Sequence, residues 1–211
     1  MRTLLTALLL SSALSAPLSP VFAQKEASKW YFGENAAVDF STEPPTALSD
    51  GVLFTEEGCV TISDKDGKLL FYTDGVTVYT KQHQAMPNGS GLNGNASATQ
   101  SGVVIAHPAS PHLFYLFTVD ATAGSKGLCY TLIDMRLNGG LGDVVATEKN
   151  IHLRARVTEK LTATRHQNGK DTWVVVHGWE NNEFAAFLVN DKGIQREPVL
   201  SSTGTTHKGD A

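Results

Sequence analysis

Residues 172–179 read TWVVVHGW, and this stretch decides the class of fold. A strand with one face in water alternates apolar and polar residues, because successive side chains point to opposite sides. Trp173, Val174, Val175 and Val176 show no such alternation. The run is short, rich in β-branched and aromatic residues, and follows the turn residues Asn168-Gly169, which marks a strand. Both faces of that strand must be covered. LFYLFTV (113–119) and EFAAFLV (183–189) carry the same signature, so sheets with two apolar faces are expected.

Working outward, further strand-like runs are CVTIS (59–63), KLLFYT (68–73), VTVYT (76–80), GVVIAH (102–107) and LCYTLIDM (128–135). The turns recur too: Asp64-Lys65-Asp66-Gly67, His107–His112 and Gln167-Asn168-Gly169-Lys170 each lead into an apolar strand. Phe71, Phe114 and Trp173 then hold comparable positions, 43 and 59 residues apart. Four strands recurring every ~40–60 residues is the repeat of a β-propeller blade. A β-sandwich is the competing arrangement, and the doubly apolar strands favour the propeller. The more polar GDVVATEKNIHL (142–153) and GIQREPVL (193–200) fit strands at its rim.

The class is therefore all-β: a β-propeller-like array of four-stranded antiparallel blades. About three blades follow an N-terminal strand or hairpin, two of them over 99–153 and 157–200. Pro87–Asn95 reads as a long inter-blade loop and Ala121–Gly127 as a mobile hairpin tip. Since propellers close with about four to eight blades, the array is incomplete and is expected to be a piece of a longer protein. Domain boundaries are a signal peptide over 1–23, the partial propeller over 24–200, and a polar tail or start of a missing blade over 201–211.

The signal reading rests on Arg2, the apolar run Leu4–Leu14, the helix breakers Pro17 and Pro20, and the small-x-small end Val21-Phe22-Ala23. That apolar run is too short to span a bilayer, so the chain is expected to be exported with no membrane span after cleavage. Without Arg2 the balance is 16 basic against 21 acidic residues, net −5. No Lys/Arg stripe follows from these dispersed charges, which excludes nucleic acid as the expected partner. Cys59 and Cys129 read as separate buried thiols, although export permits a disulfide between them.

Chemistry is sparse in the sequence. Ser63–Phe71 has the composition of a sialidase Asp-box, but Lys65 stands where that register needs an acid, and a hairpin turn explains the same residues. Asp64, Asp66 and Asp74 fall short of the six to eight oxygen ligands of a calcium loop. Glu56 and Glu57 are adjacent and would point to opposite faces of an extended chain. His177 reads as a hydrogen-bonded core or channel-facing imidazole, and Trp30, Trp173 and Trp179 as inter-blade packing. No catalytic, cofactor-binding or metal-ligating set is assigned, and no cofactor is expected.

Trp30-Tyr31-Phe32-Gly33 with Val38-Asp39-Phe40, then ISDKDGKLLFYTDG (62–75), MPNG (86–89), TQS (99–101), FTVD (117–120), GGLGDV (139–144), EKLTATRH (159–166) and WVVVHGW (173–179), occur in that order. Together they resemble the N-terminal propeller-like region of large exported surface proteins of Bacteroidota. The resemblance implies a region that precedes PKD modules and a sorting domain read by type IX secretion, located outside the cell or on its surface. Without a sorting domain the periplasm is expected. The implied function is a non-enzymatic scaffold, adhesion or binding module with a glycan or protein as ligand. A carbohydrate-active, glycoside hydrolase-like propeller is the alternative. In such a propeller KWYFGENAAVDF (29–40) would latch onto the last blade, or form a self-contained hairpin packed on the first blade.

Overall fold

The computed structural model describes residues 25–209, so the signal peptide reading over 1–23 lies outside the described residues. Four antiparallel sheets follow one another along the chain. The first holds β1 (Lys29–Phe32), β2 (Ala36–Asp39) and β3 (Thr46–Leu48). The second holds β4 (Val60–Ser63), β5 (Leu69–Thr73), β6 (Thr77–Thr80) and β7 (Ala85–Ser90). In the third, β8 (Gly102–Ala106), β9 (Leu113–Val119) and β10 (Leu128–Asp134) are flanked by the short β11 (Asp143–Val144) and β12 (Ile151–Arg154), both paired with β10. The fourth repeats that plan: β13 (Val157–Arg165), β14 (Thr172–Gly178) and β15 (Glu183–Asn190), with β16 (Gly193–Ile194) and β17 (Val199–Ser202) both paired with β15. All eight strands read from sequence form, with ends within one residue of the expected ones.

Each sheet stacks on the next, and one hydrophobic core fills each gap. Tyr31, Ala37 and Leu53 meet Leu69 and Tyr72 between the first and second sheets. Phe71, Val78 and Met86 meet Phe114, Leu116 and Ile133 between the second and third. Phe117, Val119 and Leu128 meet Val174, Val176 and Phe187 between the third and fourth. The first strands β1, β4, β8 and β13 lie side by side in that order. Sheets with two apolar faces are thus buried as expected in the middle of the array, where all but the first residue of β9 is buried. Among the described residues no core joins the fourth sheet to the first, and no sheet closes on itself.

A bulge lets β5 serve two gaps at once. Ile62 faces Phe71 but Ser63 faces Leu69, which leaves Leu70 as the extra residue. The alternation therefore inverts within the strand. Leu69 joins Tyr72 on the side of the first sheet, and Phe71 turns toward the third, edge-on to Phe114 at 5.5 Å.

Several expectations are corrected. The N-terminal run does not stand as a lone strand or hairpin, because β3 pairs with β2 and makes a three-stranded sheet. It packs on the second sheet, the placement expected of a hairpin lying on the first blade: Tyr31 stacks on Tyr72 at 4.7 Å, and Thr61 Oγ1 accepts from Tyr31 N and donates to Tyr31 O. The sheets hold three, four, five and five strands rather than four each, since short turns split the outer strands of the last two. Pro87–Ser90 belongs to β7 and is not loop. Ala121–Ala123 is a 3-10 turn, with Asp120 Oδ1 accepting from Ala121 N. Phe71, Phe114 and Trp173 share a strand position but not a face, and Trp173 points out of the array.

Gly58 is held by close approach. A Cβ there would lie 2.2 Å from Ser101 N and 2.8 Å from Ala98 O, where the chain entering the second sheet crosses the chain entering the third. Gly58→Ala is expected to lower the urea midpoint clearly, because backbone on both sides must move. Phe71→Ala should cost about 3–5 kcal/mol in the same measurement, the usual cost of truncating a fully buried phenylalanine.

Candidate functional site

Chemistry-bearing side chains concentrate at the junctions between sheets. Glu159, on β13, is buried. Its Oε2 accepts from Thr99 N at 2.7 Å and Thr99 Oγ1 at 3.0 Å, and its Oε1 accepts from Thr122 N at 2.7 Å. Burial alone would raise this carboxyl, but those hydrogen bonds outweigh it and hold it below the usual glutamate range. Thr122 donates from a left-handed conformation (φ 50°) that β-branched residues avoid, and the carboxylate offsets that strain. Next to it Leu161 N donates to Gln100 Oε1 at 3.1 Å. The segments TQS and EKLTATRH thus meet across the third and fourth sheets.

Asp143 does the same work between the second and third sheets. Its Oδ1 accepts from Asn88 N and Val144 N, each at 2.8 Å, and its Oδ2 from Asn88 Nδ2 at 2.7 Å. MPNG and GGLGDV meet there. Asn150 adds two further ties, accepting from Asn93 N at 2.8 Å and donating to Gly91 O at 2.9 Å.

Between the first and second sheets lies a constellation that has the residue types of an acid–base site. Tyr31 Oη donates to Asp50 Oδ1 at 3.0 Å, His83 Nε2 is 3.3 Å from Asp50 Oδ2, and His83 Nδ1 is 3.1 Å from Tyr72 Oη. Val52 N also donates to Tyr72 Oη at 3.2 Å. Burial first, then the Asp50 carboxylate, pushes the Tyr31 phenol well above its ordinary value, and burial raises Tyr72 likewise. Tyr72 is fully buried. The group is a clamp whose members are bonded to one another: Tyr31 and Tyr72 are buried, while the Asp50 carboxylate, 55 % exposed, is engaged by Tyr31 and His83.

Other sequence candidates are absorbed into local structure. Asp64 Oδ1 accepts from Asp66 N and Lys68 N around Gly67 (φ 85°), and Asp74 Oδ1 accepts from Val76 N and Thr77 N. Among the described residues no cluster of His, Cys, Asp and Glu could hold a metal ion. His177 is buried, with Nδ1 2.7 Å from Gly178 O and its ring against Phe184 and His207. Cys59 and Cys129 are free thiols, both raised by burial.

Among the described residues, three of the open surfaces have the clearest unspent binding capacity, and a fourth hollow lies at Pro108, Lys170, Asp171 and Asp191. On the first sheet, Trp30 (53 % exposed), Phe32 and Phe40 (47 %) point away from the second, and Trp30 meets Phe40 at 5.1 Å. Their base opens into an apolar hollow of about 540 Å³ bounded by Ala27, Cys59, Val60 and Thr61. On the fourth sheet, Trp173, Val175, Phe184 and Leu188 form the uncovered face and are only half-buried. Trp30 and Trp173 therefore do not pack between sheets, and Trp179 lines a small hollow beside Glu159 and His207. The third surface is a polar cleft of about 600 Å³ between β8 and β13, with His107, Arg165 and Lys170 on its walls. No protein-family model matches the chain, and no curated protein or solved structure does.

Glu159→Ala strands three donors and should cost about 2–4 kcal/mol of unfolding free energy. Acid sensitivity follows from the lowered carboxylates, Asp39 and Glu159 among them, with Asp134 held down by Arg136. Lys29 first, then Ser41, lowers Asp39 to about 2, and Glu159 is lowered as described. Each contributes stability that is complete above the ordinary carboxylate pKa and lost as pH falls through the lowered folded value. The denaturant midpoint should hold steady down to roughly pH 5 and fall below it, less steeply in Glu159→Gln.

Proposed function

We propose that the chain is a non-enzymatic scaffold and binding segment of β-propeller type, from an exported surface protein. The four stacked sheets read as four adjoining blades, with β1, β4, β8 and β13 as their inner strands. One observation carries the reading. The carboxylates Glu159 and Asp143 are spent on holding one sheet to the next, whereas the large apolar surfaces of the end sheets are left open. An enzyme of the glycoside hydrolase kind needs two free carboxylates roughly 5–10 Å apart across a cleft. The walls of the cleft between β8 and β13 carry His107, Arg165 and Lys170 instead. The resemblance of KWYFGENAAVDF and the later motifs to exported Bacteroidota proteins supports the surface location.

A glycan array together with a glycosidase panel on the mature chain tests the proposal. Retention of a glycan without hydrolysis above the blank is the expected outcome. Turnover that disappears when a single carboxylate is replaced would overturn it.

A further inference from the structure

Three gaps between sheets are filled in one sense: the later face of each sheet packs on the earlier face of the next. What stays open is the earlier face of the first sheet and the later face of the fourth. These are the two kinds of surface that meet inside the array. Both carry the residues of an interior gap, with Trp30 opposite Val38 and then Ala47 on the first sheet, and Trp173 opposite Leu188 on the fourth. Both lie at the end of a row of side-by-side inner strands, so a further sheet on either side would continue an existing packing.

Net charge disfavours one pairing of the open faces, first sheet on first sheet. Residues 25–58 hold two basic residues, Lys25 and Lys29, against seven acidic ones, a net of −5. Residues 59–209 hold 14 basic and 13 acidic residues, and the fourth-sheet segment 157–209 balances six against six. Two first sheets packed together would bring two segments of net −5 close to each other, whereas a first sheet on a fourth brings an acidic segment to a neutral one.

We propose that the occupant of both open faces is a second copy of this chain. The later face of one copy's fourth sheet packs on the earlier face of its partner's first sheet, and the reverse contact closes the pair. Such a head-to-tail contact repeated twice makes a ring. Four sheets from each copy give eight, within the range of about four to eight over which propellers close. The proposal rests on the propeller reading above and adds to it how the ring is completed.

Sedimentation velocity on the mature chain across a concentration series tests it. The expected result is a closed dimer that does not grow further. Trp30→Glu and Leu188→Glu should each weaken it by about 30-fold or more, the scale of losing a central aromatic or aliphatic anchor. Mixing the two variants restores a dimer through the one remaining unaltered pair of faces. Near-UV circular dichroism checks that each variant is folded, and Val199→Glu on the exposed edge of the fourth sheet replaces Leu188→Glu if that one is not. A folded monomer at every concentration overturns the proposal. So does an open chain of growing size, or a dimer that Trp30→Glu abolishes and both fourth-sheet variants leave intact, which is a like-face pair. Glycosidase turnover with an intact dimer would instead overturn the scaffold reading and leave the ring standing.

Discussion

A sheet with two apolar faces cannot be hidden by a single neighbour, and that constraint organises this molecule. Phe117 and Leu116 sit on consecutive positions of β9, both fully buried, one in the gap toward the fourth sheet and the other in the gap toward the second. Burying such side chains contributes roughly 1.5–3 kcal/mol each, but only while sheets lie on both sides. Every interior sheet therefore depends on two others, and the stack is the smallest unit that satisfies them. The bulge at Leu70 extends this economy to the short β5, which sends Leu69 and Phe71 into different gaps.

Hydrophobic stacking is non-directional and would tolerate sliding. The polar ties remove that freedom. Glu159 fixes the third sheet against the fourth, Asp143 fixes the second against the third, and the Tyr31–Asp50–His83–Tyr72 clamp fixes the first against the second. Each is formed by segments distant in sequence and each is satisfied by hydrogen bonds, the condition under which a buried polar group is tolerated. Short segments distant in sequence meet in pairs at two of these ties, TQS with EKLTATRH and MPNG with GGLGDV.

The strands were legible because their β-branched and aromatic runs are long enough to outweigh local turn propensity. The first sheet was legible only in part. Thr46-Ala47-Leu48 follows two prolines and has no apolar run, and it becomes a strand only by pairing with β2. The outer strands β11, β12, β16 and β17 span two to four residues each and depend on β10 and β15 for their shape. The facing of Phe71 was hidden because a bulge at Leu70 inverts a period-two pattern, and Phe114 and Trp173 face opposite ways because they lie one and two residues past the turn-closing Leu113 and Asp171. The polar ties were unreadable for a different reason. Nothing local distinguishes Glu159 or Asp143 from a solvated acid until Thr99, Thr122 and Asn88 are brought to them.

Each sheet is built from strands contiguous in the chain, and this has a kinetic side. Pairing within a sheet closes only short loops, so little chain entropy is lost before contacts form. A polypeptide made from its N-terminus can complete the first sheet before the second exists, and so on along the array. Every intermediate in that series ends on a freshly made sheet whose later face is bare. Growth is then self-templating: the surface that is most prone to wrong association at any moment is the one that the next segment of chain is shaped to cover.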